Sequence, residues 1–262
     1  MRLLNRTTRR QHLTGVGAAY YERVKIILAD VESAEGQATA ALDTPRGRLR
    51  INAPVTFGIH AMSKHLPEYL GSYPEVSVEL SLSNRYVDLI DEGFDAVVRI
   101  GALADSGLMA RPLAPYRLRL CAAPSYLAKR GAITHPEDLV RHDCLGFLHS
   151  ELRTHWTFQG PEGPITVPVS GRLMVDSGES LMAAAREGMG VVLQPCELVR
   201  EDLAAGSLVE LLPDYPVPTR PLHVLYAPDR RMTPKLRSFL DFLVTKFGSD
   251  AQPPVVAPAL PT

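Results

Sequence analysis

Two stretches of this chain place hydroxyl and carboxylate side chains where a strand gives way to a helix. Ala53-Pro54-Val55-Thr56-Phe57-Gly58 follows the alternating run Leu49 to Ala53 and leads into a segment of helical period. Val175-Asp176-Ser177-Gly178-Glu179-Ser180 joins another strand to another helix. Thr56, Asp176 and Ser177 are residue types that cap helices, and the N–H groups of a helix's first turn have no partners within it. With the partial positive charge of the helix end, such donors hold anions, carboxylates included. Capping alone accounts for either junction taken singly. Arg99-Ile100-Gly101 closes the buried run Asp95 to Gly101 at the same kind of edge, and its guanidinium has an anion, Asp95 or Asp91 as candidate partners.

Other chemistries find less support. No G-x-S-x-G elbow, P-loop or strand-following G-x-G-x-x-G is present, and Gly188-Met189-Gly190 reads as a helix C-cap glycine followed by a tight turn. His135, His142 and Cys144 fit no structural zinc spacing; the stretch reads as a short helix begun by Pro136, with Glu137 and Asp138 in its first turn. Cys121, Cys144 and Cys196 are odd in number, which suggests reduced thiols in a cytoplasm rather than a disulfide framework. No metal site, cofactor or catalytic group is therefore expected. Near the N-terminus, Arg2, Arg6, Thr7, Thr8, Arg9 and Arg10 are phosphate-contacting types, equally compatible with a DNA-binding wing and with a solvated tail.

The elements that must position these residues follow from periodicity. From about Thr14 to Leu42 there is no proline, and Tyr20, Val24, Ile27, Val31, Ala34, Ala38 and Ala41 step alternately by four and three, a heptad seam on one long helix. That seam packs either on the following domain or on a second copy. After the breaker Asp43-Thr44-Pro45-Arg46-Gly47, strand-like and helix-like segments alternate. Strands are expected at Leu49–Ala53, Val76–Leu82, Asp95–Gly101, Leu118–Ala122, Cys144–Leu148, Ile165–Val169, Arg172–Val175, Gly190–Leu193 and Leu222–Ala227. Helices are expected at Phe57–Leu70, Tyr86–Glu92, from Ser125, at Gly178–Glu187 and at Lys235–Phe247. The alternation predicts an α/β fold with mainly parallel sheets, and the proline-rich tail Ala251–Thr262 is expected to be disordered.

The 262 residues and formal charge of −1 conceal an asymmetry: residues 1–25 carry six basic side chains against Glu22 alone, leaving the remainder acidic by six charges. No apolar run approaches the length of a membrane span, and the basic start lacks the apolar core of a signal peptide.

The ordered set of short motifs resembles one family. Leu4-Asn5-Arg6-Thr7-Thr8-Arg9-Arg10, Leu13-Thr14-x-x-Gly17 and Tyr20-Tyr21 are similar to the wing and linker-helix start of LysR-type transcriptional regulators. Gly47-Arg-Leu-Arg-Ile-x-Ala-Pro54, Tyr73-Pro74-Glu75-Val76, Val87-Asp88-Leu89-Ile90-x-Glu92-Gly93-Phe94-Asp95 and Arg99-Ile100-Gly101 follow in family order. So do Leu120-Cys121-Ala122-Ala123-Pro124-Ser125-Tyr126-Leu127, His142-Asp143-Cys144-Leu145 and Gly188-x-Gly190-Val191. The match runs over about residues 1–248, and its flavour is that of the CrgA- and AaeR-like subgroup.

The resemblance implies a winged helix-turn-helix remnant over 1–13, a dimerising linker helix over 14–45 and an effector domain over 46–248. That domain would be two-lobed, like type 2 periplasmic binding proteins, with lobe I at 46–118 and 221–248 and lobe II at 119–220, followed by a disordered tail, 249–262. Crossing strands would lie near Arg117–Ala122 and Arg220–Leu225. Between the lobes a small organic anion would meet Thr56, Phe57, Arg99, Gly101, Phe147, Asp176, Ser177, Gly178, Leu193 and Gln194. Arg6, Thr7, Thr8, Arg9 and Arg10 would touch DNA, while Tyr20, Val24, Ile27 and Val31 would form a homodimer or part of a homotetramer. The implied protein is a cytoplasmic regulator, not an enzyme.

One departure is large: Met1 falls inside the turn before the wing, so the recognition helix that reads the major groove is missing from the match. A late start, a degenerate regulator and a dominant-negative partner are the three accounts; a late start is favoured, and the upstream reading frame decides it. Rival readings on the same fold are a stand-alone solute-binding protein and an enzyme using Asp176 as base.

Overall fold

The computed structural model describes residues 3–6, 11–21, 23–25, 27–28, 44–103, 107–148, 151–228, 232–248 and 255–256. In chain order its strands are β1 (Leu4–Arg6), β2 (Gln11–Leu13), β3 (Gly47–Ala53), β4 (Val76–Leu82), β5 (Ala96–Ile100), β6 (Met109–Tyr116) and β7 (Leu118–Ala122). They continue as β8 (Cys144–Phe147), β9 (His155–Gly160), β10 (Gly163–Pro168), β11 (Met174–Val175), β12 (Val191–Pro195), β13 (Val209–Glu210), β14 (Arg220–Tyr226) and β15 (Val255–Val256).

Two sheets dominate. One has six strands in the order β15-β6-β14-β5-β3-β4, the other five in the order β11-β8-β12-β7-β13. Both are mixed rather than mainly parallel. β3 runs parallel to β4 and β5, but β14 runs against β5 and β6; β8 runs parallel to β11 and β12, but β7 runs against β12 and β13. The reversals arise where the chain crosses between sheets. Arg117 alone separates β6, in the first sheet, from β7, in the second. The return runs from β13 to β14.

Each sheet has its own core. Leu49, Ile51 and Ala53 of β3 are sealed beneath Phe239, Leu240 and Leu243 of the helix Pro234–Phe247, with Tyr69 beside them. Their alternation in β3 and 3–4 spacing in the helix are the periodicities of a strand and a helix that each bury one face. In the second sheet Trp156, Phe158, Leu181, Met182 and Val199 close over Val191 and Val192. Leu118, at the crossing, packs against both cores.

Several expectations are corrected. The single helix over Phe57–Leu70 is instead Val55–Phe57, a π-helical stretch Gly58–Met62 and a separate helix Leu66–Ser72, in whose first turn Pro67 supplies a preset φ and no N–H. Tyr86–Glu92 is not helical. The Asp88 carboxylate accepts the N–H groups of Ile90 and Asp91 at 2.9 Å each, and this side-chain capture of the backbone favours turns over helix. β6, the helix Cys196–Ala205, β9 and β13 went unread. β6 carries Pro112 and Pro115, residues usual only at unpaired edges; among the described residues β15 covers that edge only at Met109 and Ala110.

At the N-terminus β1 and β2 form an antiparallel hairpin pairing Leu4 with Leu13. The Thr14 hydroxyl accepts from the Gly17 N–H at 2.9 Å, capping a helix described at 15–21, 23–25 and 27–28. On it Tyr20 and Ile27 are about half exposed, at 52% and 50%, and Val24 is half-buried. Arg6 ends β1; Thr7, Thr8, Arg9, Arg10 and Val31 lie outside the described residues. Within the stretch expected to be disordered, Val255 and Val256 pair with β6.

Candidate functional site

A cavity of about 1000 Å³ opens between the two sheets. The carboxyl ends of parallel strands surround it: Pro54 after β3, Ser83 after β4, Ile100 of β5, Phe147 of β8, Asp176 after β11 and Gln194 of β12. The strands that run the other way contribute from the opposite end, Leu118 at the start of β7 and Arg220 at the start of β14. Open α/β sheets bind ligands at this edge because helix N-termini and loops converge there. Leu145, Phe147, Leu152, Trp156 and Leu193 make an apolar wall, while Thr56, Asn84, Arg85, Arg99, Asp176, Gln194 and Arg220 supply polar groups.

Of the residues expected here, Thr56, Arg99, Phe147, Asp176, Leu193 and Gln194 line the cavity. Four do not. Thr56 is not the cap of its helix; Pro54 holds that position. The following residue, Phe57, is turned by about 100° of helical rotation into the core. There it is 2% exposed and meets Tyr116 and Phe247 edge-on at 6.4 and 5.2 Å. Ser177 is committed to capping: it accepts from the Ser180 N–H at 3.2 Å and donates to Glu179 Oε2 at 3.1 Å. Gly178 stands behind the wall, where an added Cβ would come within 3.0 Å of both Thr56 Oγ1 and Gln194 Oε1. Gly101 has φ +101° and backs Arg220, whose Nη2 would lie 3.2 Å from an added Cβ.

The sequence reading missed Tyr116, Trp156, Arg220 and the loop Ser83–Tyr86. The end of the alternating run at Leu82, on the same edge as Pro54, was a usable signal for the loop. The others depend on the antiparallel reversals.

Arg99 is a half-buried cation on the cavity wall. It donates to Asn52 Oδ1 at 3.0 Å, to the Val98 carbonyl at 3.1 Å and to the Val87 carbonyl at 3.4 Å, all neutral acceptors. The sequence left its partner open between Asp95, Asp91 and an anion. Asp95 instead accepts the Arg50 N–H and lies 3.6 Å from Lys235 Nζ. Burial pushes the Arg99 guanidinium below its ordinary value, with neighbouring Tyr86 and Glu92 opposing that shift. Burial, and then the nearby Glu197, push the Tyr116 hydroxyl up, so it stays a neutral donor. At the rim Arg85 grips Glu92 through two bonds of 2.9 and 2.6 Å.

Two contacts join the halves across the opening. Asn84 accepts the Val55 N–H through Oδ1 and donates through Nδ2 to the Asp176 carbonyl, 3.1 Å each. His60 Nε2 lies 3.3 Å from Glu179 Oε1.

The polar cluster from His135 to Cys144 and the buried Cys121 serve the scaffold. His135 caps the 3-10 turn Pro136–Arg141, whose Asp138 is held down to about 2 by the N–H groups of Thr134 and His135. His142 Nδ1 meets the Tyr126 hydroxyl at 3.1 Å. Burial pushes the thiols of Cys121 and Cys144 up to about 12. Gly188, with φ +72°, makes the turn that follows the helix Gly178–Arg186. Among the described residues no helix is long and apolar enough to cross a membrane.

A two-sheet α/β body with a cavity at its strand ends defines an effector-binding domain of the periplasmic-binding-protein type. Residues 42–248 match the family model described as the LysR substrate binding domain. The chain is 35% identical over 249 residues to the HTH-type transcriptional regulator CrgA of Neisseria meningitidis, covering 95% of this chain and 83% of that protein. The solved structure of that regulator superposes with a TM-score of 0.70 over 94% of this chain and 83% of its own. The full-length virulence activator AphB of Vibrio cholerae superposes with 0.71 at 30% identity, covering 94% and 84%. The chain belongs to the LysR-type transcriptional regulators, on their CrgA-like side, and carries their effector-binding domain.

Proposed function

We propose that the cavity binds a small organic monoanion with an apolar body, and that occupancy changes how a cytoplasmic homo-oligomer of this regulator acts on DNA. Arg99 carries this reading: a half-buried guanidinium whose own hydrogen bonds go to neutral acceptors, beside an apolar wall, favours a carboxylate as its charged partner. Arg220 lines the same cavity, and Thr56 and Gln194 are placed to orient a polar group. The apolar wall selects for a ring or chain rather than a compact polyanion. Asp176 adds a single lining carboxylate, suited to a ligand hydroxyl or amine.

The ligand acts by binding the closed and open arrangements of the two halves unequally, without bond chemistry. Asn84 and the His60–Glu179 pair are the contacts that closure makes or breaks. DNA contact through the basic arm, Arg6 to Arg10, and association through Tyr20, Val24, Ile27 and Val31 complete the proposed regulator.

Trp156 is the one tryptophan in the chain and lines the cavity, which provides the test. Titration with benzoate should change its fluorescence, benzamide should do so at least about tenfold more weakly, and Arg99→Gln should lose the difference. Equal binding of the amide would refute the anionic ligand. Turnover of a bound ligand would refute the regulatory reading.

A further inference from the structure

We infer that the segment from Ser83 to Phe94 carries the state of the cavity to the N-terminal helix, with Arg99 as the residue that couples them. This deepens the proposed regulation of the same site and rests on that reading. Ser83, Asn84, Arg85 and Tyr86 line the cavity. Five residues further on, the Asp91 carbonyl accepts from Lys25 Nζ of the N-terminal helix at 3.1 Å. One short piece of chain therefore touches both.

The segment is built to move as a piece. It has no regular helix or strand, and two buried side chains, Val87 and Leu89, seat it on Val97, Leu108 and Leu225. At its start the Ser83 N–H donates to the Ala53 carbonyl at 3.0 Å, and further on its carbonyls are held by cations. Arg50 Nη1 donates to the carbonyls of Glu92 and Gly93 at 3.0 Å each, and Arg99 Nη2 to that of Val87 at 3.4 Å. Arg85 closes back onto the Glu92 carboxylate. A void of about 50 Å³ is lined by Val87, Leu89, Val97, Arg99 and Leu225, which leaves room beside the segment.

Arg99 faces both sides of this arrangement. Its bond to Val87 is at the long limit of a hydrogen bond, and its guanidinium lies 5.7 Å from the Tyr86 ring centroid. An anion that draws Arg99 toward the cavity competes with the Val87 carbonyl and disturbs Tyr86, because charge-assisted bonds outweigh neutral ones. The anchor at Val87 then loosens, and the displacement reaches Asp91 and Lys25.

Coupling of this kind is reciprocal, so it is testable without any ligand. Hydrogen–deuterium exchange is followed in the full chain, in Lys25→Met and in Lys25→Arg. Lys25 is a partly exposed surface residue, and both variants keep its stem. Lys25→Met should speed exchange about threefold over 83–89, the cavity-lining residues 83–86 included, as expected for loss of one partly exposed charge-assisted bond, and Lys25→Arg should restore the parent rate. Strand Gly47–Ala53 and helix Gly178–Arg186 should not change. Acceleration that stops at 90–94, or equal acceleration in both variants, overturns the inference. Failure of the ligand reading would show separately, in the Trp156 titration of the parent chain.

Discussion

At the scale of the residue, the strand-to-helix junctions were legible and the direction of each side chain was not. Thr56 and Asp176 reach the cavity, whereas their neighbours Phe57 and Ser177 turn into the core and onto the helix end. One residue separates the outcomes, a step of helical phase from Thr56 to Phe57 and a step of extended backbone from Asp176 to Ser177, and single-sequence patterning does not resolve direction to that degree. The distinction predicts opposite results. Thr56→Val should weaken benzoate binding about tenfold with little loss of stability, by removing one polar group. Ser177→Ala should lower stability by about 1 kcal/mol and leave affinity nearly unchanged. Calorimetric titration and thermal unfolding of both variants separate the two effects. Asp202 makes a second case. It is 6% exposed, and the Arg186 guanidinium, at 2.6 and 2.7 Å, holds its carboxyl below the usual value, with the Ser207 hydroxyl adding to this. Because its folded value is depressed, its contribution is full above the unfolded carboxylate value and is lost as pH falls through the folded one. Asp202→Asn should cost about 2 kcal/mol at neutral pH and flatten the acid limb of the stability curve, measurable by urea unfolding between pH 7 and 3.

At the scale of the element, most strands and helices followed from period and punctuation. β3, β4, β5, β7 and the helix Pro234–Phe247 lie where alternation or a 3–4 stripe places them. β6 did not, because its two prolines argue against a strand unless one edge is largely unpaired. The loop after β4 did not either, since its importance comes from what it bridges. Asn84 ties the start of one helix to the carbonyl preceding another, from opposite halves of the molecule. Asn84→Ala should therefore open the cleft, seen as a larger radius of gyration by small-angle scattering; an unchanged profile would leave closure to His60 and Glu179. Gly178 is where the helix Gly178–Arg186 crowds Thr56 and Gln194 most closely. Gly178→Ala should cost about 1–3 kcal/mol by overpacking, and should impair ligand binding more than Ser177→Ala does.

At the scale of the whole molecule, the family and its two-sheet plan were legible because many weak motifs occur in one order. The mixed strand directions were not, because they depend on which strands cross between sheets. The N-terminal helix leaves Tyr20, Tyr21, Ile27 and Leu28 at least half exposed, an apolar surface expected to find a second copy. Sedimentation of the full chain should show a dimer or larger species, and removal of residues 1–45 should abolish at least one association step. The crossing at Arg117 has a different kind of consequence, for the order in which the molecule comes into being. The five-stranded sheet is drawn from one unbroken stretch, β7 to β13, whereas the six-stranded sheet must wait for β14 and the helix Pro234–Phe247. On the ribosome, the half synthesised second becomes complete first, and β3 to β6 emerge before the strand that joins β5 to β6 exists. The earliest-made half therefore spends the longest time with an unpaired edge, and that is where chaperones have their opportunity to bind.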